Sequence, residues 1–215
     1  MKSFERSRKR AASHNWTVNG INCIEMPDQT SVNVANKNVR ALLVEIEAEQ
    51  SDWETGVWAG VDADIRHAAI AAFQAGIEAN TAMTFPDADI EISIRLTDDK
   101  EMKKLNAEWR NIDHPTNVLS FPNWDASSEA VYAGSAVLLG DVVLARQTVE
   151  AEADNANLPP VHHVKHLVVH GVLHLLGFDH ETDQEANIME SLEVKVLSNI
   201  GVASPYKEKN KENVI

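Results

Sequence analysis

Residues 89–96 (DIEISIRL) alternate strictly, placing Ile90, Ile92, Ile94 and Leu96 on one face and charged or polar residues on the other. A run with period two can bury its apolar side only as a strand in a sheet. Asp98 follows at once, with Glu101 three residues on. That pairing resembles a capping box, so the spacing predicts a helix to about Trp109. A strand running straight into a capped helix commits the chain to a mixed architecture.

Residues 39–48 (VRALLVEIEA) are apolar and β-branched enough for a second strand, and QSDWETGVWAG after them reads as a loop broken by Gly56 and Gly60. From Asp62 to Ala79, apolar residues recur at helical spacing behind an acidic first turn. Asn117–Pro122 (NVLSFP) predicts a short edge strand stopped by proline, followed by a long loop (PNWDASSEAVYAGS) and a strand over 138–145. A helix over 146–156 is broken by Leu158-Pro159-Pro160, which opens another over 161–176. Gly177 ends that helix, and a last one spans about Asp183–Asn199. Strands and helices mix without regular βαβ alternation. The expected fold is α+β in a single domain, a small mixed sheet of about four strands packed with about five helices. We place a basic, flexible extension at residues 1–30, the folded domain at 31–204 and a polar tail at 205–215.

Of the 215 residues, 33 are Asp or Glu and 19 Lys or Arg, a net charge of −14. Such acidity argues against a broad non-specific nucleic-acid binder. No apolar run approaches the roughly 18 residues of a membrane span, and no apolar segment backs the basic start as in a secretory signal. Cys23, the one cysteine, excludes an internal disulfide and a multi-cysteine zinc site. These features predict a soluble, cytoplasmic protein.

Six of the nine histidines fall between positions 162 and 180, and three form a pattern in HGVLHLLGFDH (170–180). His170 and His174 are one helical turn apart on one face. Gly177 can take a left-handed turn that swings His180 back toward them. Three imidazoles converging on one point suit zinc and leave a fourth position for water, whose pKa such a metal brings to roughly 7. A four-ligand structural site closed by Asp179 or Glu181 is the competing arrangement. His166 falls to the second shell or the core, and His162 and His163 to an exposed or capping place. His14, His67 and His114 are isolated.

HxxxHxxGxxH is also the spacing of metzincin proteases, whose first His is followed by the general-base glutamate. Here that position is Gly171, which decides against proteolysis. A second block, NAEWRNIDHPTNVLSFP (106–122), sets Arg110 at a helix end before a rigid Pro115-Thr116 turn. Its planar guanidinium suits a phosphate or carboxylate. A surface salt bridge with Asp113 or Glu108 is the competing role.

Together the blocks resemble the YbeY family of bacterial metal-dependent endoribonucleases. HGVLHLLGFDH is similar to its H-G-x-L-H-L-x-G-[YF]-D-H signature, and WRNIDHPTNVLSFP to its arginine block. LLGDVVLARQTV resembles the segment between them, and the resemblance runs from about Asp89 to Tyr206. It implies one zinc ion held by His170, His174 and His180, with Arg110 as the functional arginine facing the cleft. It implies cleavage of single-stranded RNA in maturing the 3′ end of small-subunit (16S) ribosomal RNA and in ribosome quality control. The partners implied are precursor rRNA and the small subunit. Basic ribosomal proteins or an assembly GTPase could recruit the enzyme. A non-catalytic assembly factor stabilised by metal, or a metallopeptidase-like hydrolase, are the alternatives.

On the resulting mechanism, Asp141 or Asp179 could orient a histidine through its second ring nitrogen. Ser120 is structural. Trp109, Phe121 and Phe178 could stack on bases, but core burial is the expected place for them. Arg95, Lys100, Lys103, Lys104 and Arg110 form a basic cluster that lets an acidic body hold RNA weakly, through few phosphates.

Overall fold

In a computed structural model, residues 16–18, 21–23, 29–30, 39–49, 51–124 and 136–206 are described. Most of the N-terminal extension, the loop 125–135 and the tail beyond Tyr206 lie outside them. The strands are β1 (Trp16–Val18), β2 (Ile21–Cys23), β3 (Gln29–Thr30), β4 (Val39–Ala48), β5 (Ala88–Thr97), β6 (Val118–Pro122) and β7 (Val137–Ala145). The helices are α1 (Val61–Ala79), α2 (Asp99–Arg110), α3 (Arg146–Ala156), α4 (Pro160–Leu175) and α5 (Asp183–Asn199). The arrangement is α+β in one domain, as expected.

β1 and β2 form a separate antiparallel pair, and the main sheet has the order β3-β4-β5-β7-β6. Its four long strands are mixed: β4, β5 and β7 run parallel, while β6 runs antiparallel to β7 at the edge. A parallel neighbour needs a crossover, supplied by α1 between β4 and β5. The chain therefore does contain a βαβ unit, which the irregular order of elements had obscured.

The alternation of β5 sorts as the pattern requires. Ile90, Ile92, Ile94 and Leu96 are fully buried, while Asp89, Glu91, Ser93 and Arg95 are half-exposed. The buried face is covered by α1 and α4 through Ile65, Phe73, Val168 and Val172, among others, and α5 packs against those two helices. On the other face Met102 of α2 packs with Leu119, Val143 and Ala145. Buried on both faces, the end of β7 is a continuous apolar run rather than an alternating one.

The helix starts follow the local chemistry. Asp98 accepts from the Glu101 amide at 2.8 Å, and Thr182 and Glu185 close a reciprocal capping box at the start of α5. The segment read as a plain loop after β4 differs. It forms two 3₁₀ turns, Ser51–Glu54 and Gly56–Trp58, that bury Trp53 and Trp58 with ring centroids 4.7 Å apart. The Trp53 indole donates to the Thr97 carbonyl at 3.0 Å, and that of Trp58 to Glu150 at 2.7 Å. Both buried N–H groups are thereby satisfied.

Candidate metal centre

α4 carries the first two histidines on one side because they are four residues apart, and Gly177 (φ +80°) then turns the chain so that His180 returns. The ring centroids of His170 and His174 are 4.5 Å apart, those of His174 and His180 5.0 Å, and those of His170 and His180 5.4 Å. Ligand atoms of all three lie within 4.8 Å of one another, so the group could hold a metal ion.

The outer nitrogens set the protons. His170 Nδ1 lies 2.8 Å from Glu193 Oε1, and His174 Nδ1 lies 2.9 Å from the Phe178 carbonyl. A carbonyl and an ionised carboxylate only accept, so both Nδ1 atoms carry a hydrogen, and each ring in its neutral form keeps an Nε2 lone pair. Those two Nε2 atoms face each other at 3.1 Å. Two lone pairs at that distance repel unless a cation lies between them. Nitrogens bound at zinc distances to one tetrahedral centre stand about 3.3 Å apart. The donor set therefore fits a transition metal.

Burial and the neighbouring His170 hold the His174 pKa below the ordinary imidazole value, favouring the neutral, ligating form. Glu193 is 1% exposed. Burial pushes its carboxyl up, but hydrogen bonds from His166, His170 and Tyr206 outweigh that and bring it down to about 2. His166 Nε2 sits 3.1 Å from Glu193 Oε2, and the Tyr206 hydroxyl donates to the same oxygen. Burial and this carboxylate raise the Tyr206 pKa. Tyr206, assigned by sequence to the tail, is half-buried here.

Glu193 is thus the carboxylate behind the histidines, a residue that sequence reasoning missed. Asp179 instead accepts from the His180 backbone amide at 2.8 Å, and Asp141 lies in β7 opposite Phe121 and Ser93. Neither orients a histidine ring. His163, expected at an exposed or capping place, is part-buried with Nε2 2.7 Å from Glu152, which also accepts from Asn117 at 2.9 Å. His163 thereby ties α4 to α3, and its hydrogen bond helps to lower the Glu152 pKa.

Gly171 faces the sheet. A Cβ there would meet Val142 Cγ1 at 2.8 Å and the Ser120 hydroxyl at 3.1 Å. A protease-like glutamate has no room at this position. Ser120 is accordingly a packing residue on β6.

Arg110 ends α2 as an exposed residue, where a cation also complements the helix dipole. The alternative salt bridge to Asp113 is absent, because Asp113 pairs with Lys103 at 3.3 Å. The basic cluster is largely neutralised. Lys104 pairs with Glu101 at 2.5 Å and Arg95 with Glu49 at 3.4 Å. Phe121 and Phe178 are partly buried as expected, but Trp109 is 63% exposed.

The family model described as Endoribonuclease YbeY matches residues 61–201. A Rhodospirillum rubrum protein named Endoribonuclease YbeY is 47% identical over 163 residues, covering 76% of this chain and 80% of its own. A Rhodopseudomonas palustris protein of the same name is 49% identical over 138 residues, 64% of this chain and 82% of its own. Among solved structures, a Thermotoga maritima protein matches at a TM-score of 0.42 and 20% identity, over 79% of this chain and 99% of its own. The family model spans α1, the strands β5, β6 and β7, the arginine block and the three histidines together, and the chain belongs to the YbeY family.

Proposed function

We propose that this chain is a zinc-dependent endoribonuclease that cuts single-stranded RNA and acts on precursor rRNA at the 3′ end of the small-subunit rRNA, and in ribosome quality control. The observation that carries the metal is the group of His170, His174 and His180, whose ligand atoms lie within 4.8 Å of one another, with the Nε2 atoms of His170 and His174 facing each other at 3.1 Å. The RNA substrate rests on family membership and on relatives named as endoribonucleases.

One ion would be held by His170, His174 and His180. When bound, zinc supplies Lewis-acid polarisation and a route to a nucleophile near neutral pH. The chain's own residues do the rest. Glu193 and the Phe178 carbonyl lock the tautomers and aim the rings. Arg110, exposed and clear of Asp113, stabilises charge developing on the phosphoryl group. Basic proteins of the small ribosomal subunit or an assembly GTPase are the proposed recruiters, and the cytoplasm is the proposed location. Among the described residues no helix is long and apolar enough to cross a membrane.

The test incubates metal-loaded protein with single-stranded and duplex RNA, with and without chelator. Chelator-sensitive cutting of the single strand supports the reading, and chelator-insensitive cutting sinks the zinc mechanism. A clean protein that cuts nothing but binds small subunits returns the role to a metal-stabilised assembly factor.

A further inference from the structure

We propose that Trp109 and Arg110 form a subsite in which the indole stacks on one base of single-stranded RNA and the guanidinium takes a neighbouring phosphate. The proposal rests on the RNA-cleaving reading above and names where that substrate is held.

Trp109 is 63% exposed, although a side chain of this size normally buries most of its surface. Its ring meets Phe121 edge-on, with centroids 5.6 Å apart and planes at 65°, so the strand props it while most of its area stays open. The helix end beneath it is fixed. Asn111 takes the left-handed conformation (φ 59°), and the Ile112 amide bonds back to the Asn106 carbonyl at 3.2 Å. The buried Asn106 side chain donates to the His114 carbonyl at 2.7 Å. A platform already ordered loses little freedom on binding.

Charge points to the same ligand. Lys103, Lys104 and Arg95 are engaged by carboxylates, whereas Arg110, like Lys100 at the far end of the same helix, has no ion pair among the described residues. An open aromatic face beside an unneutralised guanidinium matches a base and its phosphate. It also favours single strands, because a duplex hides its base faces. The edge strand β6 lies between this platform and the histidine helix. Phe121 follows Ser120, whose hydroxyl packs on Gly171, the neighbour of His170. β6 is an edge strand of the sheet, with Phe121 and Trp109 on its α2 face and Ser120 on its α4 face, so a single strand would have to pass over that edge to engage both sides.

The test uses the full chain, metal-depleted and in chelator, so that binding is read without cleavage. Single-stranded oligoadenylate and an abasic phosphodiester strand of equal length are titrated against wild type, Trp109→Leu, Trp109→Phe and Arg110→Ala. Leucine keeps an apolar contact to Phe121 but offers no aromatic face, and melting curves check that it folds. We expect Trp109→Leu to weaken oligoadenylate binding roughly tenfold, about the worth of one base stack, with Trp109→Phe losing less. The abasic strand should bind wild type and Trp109→Leu equally, whereas Arg110→Ala should weaken both ligands. Unchanged oligoadenylate affinity in folded Trp109→Leu, an equal loss on the abasic strand, or no binding by wild type overturns the subsite. The first of these leaves Trp109 as a protein-docking residue. Cleavage by metal-loaded wild type is measured alongside. Its absence overturns the endoribonuclease reading, while cleavage with Trp109→Leu binding unchanged overturns the subsite alone.

Discussion

Glu193 of α5 reaches across to α4 and accepts the His170 Nδ1 hydrogen at 2.8 Å while 99% shielded from solvent by its surroundings (1% exposed). This contact decides which nitrogen of His170 is free for a metal. Glu193→Gln should fold, since the amide is isosteric, yet bind zinc about 10–100-fold more weakly. Glu193→Ala leaves His166, His170 and Tyr206 unpaired and should cost about 3–5 kcal/mol. Zinc competition titration and urea unfolding measure the two effects. Undiminished zinc affinity in Glu193→Gln would show that the contact does not prepare the site.

Acid stability of the metal-free protein should follow the same carboxylate. Glu193 is held at about 2 against an ordinary 4.5, so the unfolded chain takes up its proton first as pH falls. The contribution, about 3 kcal/mol, is complete above pH 4.5 and is lost as pH drops toward 2. The lowered pKa of His174 acts in the same direction: stability is full above the ordinary imidazole value of 6.5 and declines as pH falls through it. Unfolding midpoints between pH 7 and pH 3 should therefore fall more steeply for wild type than for Glu193→Gln. Parallel curves would remove Glu193 from the account.

Gly171→Ala places a methyl 2.8 Å from Val142 Cγ1, an overlap that must be relieved by moving α4 off the sheet. We expect a loss of about 1–3 kcal/mol and weaker metal binding, because His170 moves with the same turn. Gly171→Glu should fail to fold rather than gain peptidase activity. A stable Gly171→Glu protein that digests casein would contradict this packing.

Arg110→Ala should keep the thermal midpoint and zinc content of wild type while RNA cleavage falls by about a hundredfold, as expected for one lost charge-stabilising donor. Arg110→Lys should recover only part, lacking the two-pronged grip. Unchanged turnover in Arg110→Ala would make it an ordinary surface cation.

Local chemistry made much of this molecule legible in advance. Alternation in DIEISIRL, the cap at Asp98 and the turn at Gly177 each involve residues within a few positions of one another. The histidine triad belongs to the same class, since one helical turn and one glycine bring its members together. Glu193 was not legible. It lies 23 positions from His170, in a helix whose pattern does not distinguish it from the exposed Glu185.

The amino-acid order alone determined the strands β4 to β7, the five helices and the three converging imidazoles, because hydrogen bonds and periodicity over one or two turns suffice for each. The tertiary structure decided burial and partnership. It turned Trp53 and Trp58 inward onto Thr97 and Glu150, since those acceptors exist only once β5 and α3 are in place. It left Trp109 63% exposed, with its ring meeting Phe121 at the sheet edge. It also gave His170 its outer partner, Glu193, and with that the nitrogen that carries the hydrogen, because the acceptor is supplied by another helix of the fold.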